Sequence, residues 1–153
     1  MKRQAFMILT TLSFLVMLAA TSVYAQVTDL VAVAKIPFEF SVGKKVLPAG
    51  EYSISKITGG ALVIRNADFS ASAIFFTITI PRAGTTRSQS SLVFHRYGNQ
   101  YFLSKIWTDQ VETGRELFES RAEGELIRAT SALVKGDASK RKIVSIPAIG
   151  SKR

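Results

Sequence analysis

The sequence predicts a mainly β domain: an antiparallel sandwich or small barrel of about seven or eight strands, with one helix near the C-terminus. Three observations lead there. Apolar and polar residues alternate at period two through the middle of the chain, rich in β-branched and aromatic types. Glycine and proline punctuate that stretch at hairpin spacing. A helical pattern begins only after Thr113.

Residues 1–25 read as a secretory leader. Lys2 and Arg3 are the positive end, Ala5 to Ala20 the apolar run, and Thr21 to Ala25 a more polar stretch closing on Val-Tyr-Ala. Cleavage is expected before Gln26, which places the product in the periplasm or outside the cell. The other reading is an uncleaved anchor, but the run is short of the roughly 20 residues of a full span. No cysteine follows it, so a lipoprotein anchor is excluded. No later apolar stretch is long enough to span a bilayer as a helix.

Phe38, Phe40 and Val42 alternate with Glu39 and Ser41, and Pro37 stands at the start of the run, where a missing N–H does least harm. Leu47-Pro48-Ala49-Gly50 suits a type I turn. Glu51 to Ile57 then returns as a strand. Thr58-Gly59-Gly60-Ala61 gives a two-residue hairpin signal, with Ala61 to Asn66 as the partner strand. Ser72 to Ile80 is the clearest strand, with Ile74, Phe76, Ile78 and Ile80 on one face and Thr77 and Thr79 on the other. Pro81 ends it, and Arg82 to Ser91 is a polar loop.

Ser91 to Tyr97 and Gln100 to Thr108 flank Gly98-Asn99, a second two-residue hairpin signal. That loop sets a register in which Tyr97 faces Gln100, Arg96 faces Tyr101, His95 faces Phe102 and Phe94 faces Leu103. One face then carries Leu92, Phe94, Leu103, Tyr101 and Trp107, and the other Val93, His95, Phe102 and Ile106. Both faces are largely apolar, so the hairpin is expected to be covered on both sides, by a second sheet, a helix or a partner.

Thr113-Gly114-Arg115-Glu116 fits a capping box, and the pattern from Arg115 to about Thr130 is helical. Phe118, Ala122 and Leu126 form its apolar stripe, and Arg121 and Glu125 an i,i+4 pair. A strand through Glu116 to Ser120 is the alternative. The domain is expected to span residues 26–134, with residues 135–153 a flexible basic tail. That tail lacks the aromatic terminal strand of an outer-membrane barrel.

Composition narrows the chemistry. The chain of 153 residues has no cysteine and one histidine, so thiol catalysis, disulfides, Cys-ligated zinc and any site needing two histidines are excluded. No phosphate loop, nucleophile elbow, calcium loop or metal-spaced cluster is present. No cofactor is expected. His95 beside Arg96 and Tyr97 can be read as a base, but no partner stands at a recognisable spacing, and a half-buried strand residue is the simpler reading. Carboxylate pairs, Asp109 with Glu112 or Glu39 with Glu51, are better read as solvated.

Phe94, His95, Arg96, Tyr97, Tyr101 and Trp107 are the candidate ligand- or partner-binding residues. The aromatic members admit three roles: core, the wall of an apolar pocket in a small barrel, or an exposed patch for a partner. Arg96 opposite Tyr101 suggests a cation–π contact. With Lys2 and Arg3 removed, 18 basic residues face 11 acidic ones, a net charge of +7. Export and the lack of an aromatic-basic reader motif argue against nucleic acid. Weak attraction to anionic envelope polymers or lipid head groups suits the charge better.

The stretches IPFEFSVGKKVLPAGEY (36–52), SLVFHRYGNQYFLSKIW (91–107) and GRELFESRAEGELIR (114–128) resemble a family of small exported proteins from soil bacteria that has no assigned activity. The resemblance implies a shared β-rich fold and export, and carries over no catalytic residue. Two functional expectations follow. The first is a non-catalytic exported structural or interaction protein of the bacterial cell envelope. The alternative is a small β-barrel carrier of an apolar ligand.

Overall fold

The computed structural model describes residues 30–57, 60–82, 89–109, 112–133 and 141–150. The leader expected over residues 1–25 lies outside the described residues, as do Thr58 and Gly59 of the expected hairpin and most of the 82–91 loop. The architecture is a two-sheet β-sandwich with one helix, and the barrel form of the expectation gives way to it.

The first sheet contains β1 (Leu30–Ile36), β4 (Gly50–Lys56), β5 (Leu62–Asn66), β6 (Ser72–Phe75) and β12 (Ile149–Gly150), in the order β12-β1-β4-β5-β6. The second contains β7 (Thr77–Pro81), β8 (Ser91–Tyr97), β9 (Gln100–Trp107), β10 (Thr113–Leu117) and β11 (Lys142–Pro147), in the order β11-β8-β9-β10-β7. A small hairpin of β2 (Phe40–Val42) and β3 (Lys45–Leu47) joins it through parallel pairing of Ser41 with Phe102. The helix α1 spans Arg121–Leu133.

Period-two alternation makes the core. Ala32, Ala34 and Ile36 on β1, Tyr52 and Ile54 on β4, Leu62 and Ile64 on β5, and Ala73 and Phe75 on β6 all point inward. Leu92, Phe94, Leu103 and Ile106 face them from the second sheet. Phe40 ties the layers: its ring meets Tyr52 edge-on at 5.1 Å and Phe94 edge-on at 5.5 Å. The Tyr52 hydroxyl donates to the Pro48 carbonyl at 2.7 Å, so a buried phenol also pins the turn before β4.

More strands form than expected because long runs are broken. The strand expected over 72–80 is interrupted at Phe76: β6 pairs with β5 in one sheet and β7 with β10 in the other. A strand that switches sheets makes a corner of the sandwich. Inward-facing Ala73 and Phe75 hold this corner, while Ile74, Phe76 and Ile78 point outward and are exposed. The β4–β5 loop also differs from expectation. Ile57 N–H donates to the Ala61 carbonyl at 3.0 Å, so three residues connect the strands rather than two.

The second corner replaces the expected flexible tail. Residues Lys142–Pro147 pair along the whole of β8, from Lys142 with Arg96 to Pro147 with Ser91. The chain then turns at Ala148, whose N–H donates to the Ser90 carbonyl at 2.8 Å. Ile149 and Gly150 pair with Val33 and Ala32 of β1 in the other sheet. Val144, Ile146 and Ala148 pack against the core. Basic composition suggested a solvated tail, but these three residues alternate inward and close the side of the sandwich.

The helix begins later than the sequence suggests. Thr113–Leu117 is a strand, paired on one side with β9 and on the other with β7. A slot with hydrogen-bonding partners on both sides outweighs the local preference for a cap. The cap falls instead at Ser120, whose Oγ accepts the Glu123 N–H at 3.1 Å. The expected stripe shifts with it: Phe118 and Ala122 are exposed, and Glu123, Leu126 and Ile127 turn toward the sheet. The Arg121–Glu125 pair forms as expected, at 2.8 Å on the exposed side.

Candidate functional site

The β8–β9 hairpin takes the register its loop dictates: Tyr97 with Gln100, Arg96 with Tyr101, His95 with Phe102, Phe94 with Leu103. The φ of Gly98 is +59° and no positive φ follows at Asn99, which defines a type II′ turn. Beyond Phe94 the pairing slips by one residue. Val93 pairs with Lys105, leaving Ser104 as a bulge. Each side chain after the bulge changes face. Ile106 therefore enters the core opposite Leu92, and Trp107, expected there, goes to the outer face.

The six candidate residues divide between the two faces. Phe94 is fully buried in the core. Phe38 fills the space beside it, stacked on Tyr101 with centroids 3.9 Å apart and edge-on to Phe94 at 5.3 Å. Arg96 donates from Nε to the Gly98 carbonyl at 2.8 Å, and its guanidinium sits 5.3 Å from the Tyr101 centroid. The suggested cation–π contact is therefore present. On the outer face, Trp107 lies against Gly114, whose missing side chain makes room for the indole. The Arg82 guanidinium is 4.9 Å from the indole centroid, and its Nη2 donates to the Thr108 carbonyl at 3.3 Å.

His95 and Tyr97 occupy the outer face under α1. Both bond the same atom: Oε1 of Glu123 lies 2.8 Å from His95 Nδ1 and accepts from the Tyr97 hydroxyl at 3.2 Å. Glu123 is only 5% exposed, so this carboxyl group takes part in a buried network whose members are hydrogen-bonded. The inference that something covers the hairpin's second face is met here by the helix. Sequence reasoning missed Glu123. Its signal was Ser120-Arg121-Ala122-Glu123, the same capping pattern read at Thr113. The Glu123 carboxyl, however, reaches across to β8.

Burial pushes the Tyr97 phenol up to about 12 from an ordinary 10.0, helped by the Glu123 carboxylate and its hydrogen bond and opposed by Arg141. A phenol that binds its proton more tightly when folded adds stability fully present below pH 10. That contribution is lost as pH rises toward 12, and amounts to about 2–3 kcal/mol. Tyr97→Phe should therefore flatten part of the alkaline stability loss between pH 10 and 12. Urea midpoints across that range test it: parallel curves for the two proteins would refute the assignment.

Among the described residues, no hydroxyl nucleophile bonds to His95, and no group of three or more histidine or acidic side chains is placed to hold a metal ion. The arrangement fixes a helix to a sheet. Together, fold and cluster define a class: an antiparallel two-sheet sandwich with its helix latched to the outer face by a buried glutamate. None of the protein-family models, curated proteins or solved structures compared with the chain matches it.

Proposed function

We propose that this is a non-catalytic, exported structural or interaction protein of the bacterial cell envelope. One observation carries the interaction reading. Ile74, Phe76 and Ile78 line up outward along the β6–β7 corner, and all are exposed. The pairing of Leu117 with Thr77 sets Phe118 opposite Phe76, and both are 65% exposed. Single exposed apolar residues are ordinary on a protein surface, but a ridge of four is a mark of recognition surfaces. The leader-like residues 1–25 and the resemblance to small exported proteins of soil bacteria support the compartment. The net positive charge adds weak, salt-sensitive attraction to anionic envelope polymers or head groups.

Photo-cross-linking in cells tests this. A benzophenone amino acid replaces Phe76 or Phe118, and Ser145 on the exposed side of β11 serves as control. Discrete adducts from the two ridge positions and none from the control are expected. No ridge adduct, or a defined small-molecule turnover by the purified exported product, would overturn the reading. N-terminal sequencing of that product should begin at Gln26.

A further inference from the structure

Arg96 on β8 stands directly opposite Lys142 on β11 and, on its other side, opposite Tyr101 on β9. All three share the face that carries Phe94 and Val144, because side chains two residues apart on a strand point the same way. They form one row at the hairpin end of the second sheet, where Arg96 is half-buried and Lys142 exposed. Like charges directly opposite on a sheet destabilise it, so this pair is a local cost of the fold. No carboxylate offsets it among the described residues. The ion pairs that form there are His95–Glu123, Lys105–Glu116 and Arg121–Glu125, and none involves Arg96 or Lys142.

The guanidinium is held in one pose. Its Nε donates to the Gly98 carbonyl at 2.8 Å, and its Cζ lies 5.3 Å from the Tyr101 ring centroid. Phe38 stacks on that ring with centroids 3.9 Å apart and steadies it. With Nε engaged, the two Nη groups remain as donors, and Lys142 supplies a second cation from the neighbouring strand. An anion taken up between them turns the repulsion into attraction on both sides. A planar carboxylate is satisfied by the guanidinium fork alone. A phosphate monoester has three terminal oxygens and a charge of about −1.5 to −2 at pH 7, which matches a fork and a point charge together.

We propose that Arg96 and Lys142, with Tyr101 positioning the guanidinium, bind a phosphate monoester. The group is borne by a small soluble ester or by a lipid head group, and the recognition chemistry is the same. The site gives the positive charge of the chain a defined place. It lies at the opposite edge of the second sheet from β7 and the apolar ridge, so it stands independently of the ridge.

Titration of the purified exported product with glycerol 3-phosphate, followed by nuclear magnetic resonance, should move the amide signals of Arg96, Tyr101 and Lys142 saturably. Acetate at equal ionic strength should not. Lys142→Glu is the decisive variant, because it places a carboxylate opposite Arg96. It should raise the melting temperature of the free protein by about 1–4 °C. It should also weaken phosphate binding by about tenfold or more. Arg96→Lys keeps the charge, loses the fork and should weaken binding too. No saturable shift, equal shifts with acetate, or unchanged binding in Lys142→Glu would overturn the proposal. So would a Lys142→Glu protein that melts below the parent, since the two side chains would then not face each other. Flotation with phosphatidic acid vesicles separates the sources. Flotation that Lys142→Glu abolishes assigns the phosphate to a lipid head group, and no flotation with the titration intact assigns it to a soluble ester. A failed titration leaves the ridge cross-links untouched, so the two readings fail separately.

Discussion

A chain ending at Arg141 should fail to hold the sandwich together. The twelve residues removed include β11 and β12, the only elements that bridge this side of the two described sheets. Six residue pairs along β8 and two along β1 are lost. Val144, Ile146 and Ala148 leave the core with them. The two branched side chains contribute roughly 1–2 kcal/mol each at partial burial. Each strand hydrogen bond adds on the order of 0.5–1.5 kcal/mol. The sum, about 5 kcal/mol or more, matches the low end of a domain's entire stability. The expected result is a melting temperature lower by at least about 15 °C, or no cooperative melt at all. The exposed edge of β8 should also make the shortened protein prone to aggregate. A melt within about 3 °C of the full chain would show that the corner is dispensable.

Gly114→Ala should have the next largest effect, from a single methyl group. A Cβ at that position would press on the indole ring of Trp107, closer than carbon atoms can approach. The ring is rigid and also carries the Arg82 guanidinium, so either the indole leaves the face or β10 shifts away from β9. Overpacking of this kind costs about 1–3 kcal/mol, and loss of the Arg82–Trp107 contact adds to it. Gly98→Ala is the control. Open space surrounds that position, so only the strain of a positive φ remains, about 1 kcal/mol. Urea midpoints with unchanged slopes should rank the two variants in that order. Equal losses would mean that the indole repacks freely.

Both variants lie where sequence reading stops. The 91–107 hairpin was legible because Gly98-Asn99 leaves one loop length and one register for the first four pairs. The bulge at Ser104 was not, since nothing in FLSKIW marks which residue will be left unpaired. One such slip exchanges Ile106 and Trp107 between core and surface, because side chains alternate with period two. The candidate site was legible in part. His95 and Tyr97 were named, but their partner Glu123 lies on another element, and the capping pattern that marks it occurs twice within eleven residues. The six named residues do not converge, because the hairpin that carries them has two faces covered by different things.

By itself the sequence determined the fold class, the hairpin that turns on Gly98-Asn99 with its first four cross-strand pairs, and the residue types the chain lacks. Those follow from local patterns: alternation, turn glycines and residue inventory. The tertiary structure alone decided that 72–81 switches sheets, that 113–117 is a strand, and that 142–150 closes the far corner. In each case the local preference was weak or opposed. The deciding energy came from backbone groups and apolar faces far away in the chain, whose need for partners no local pattern records.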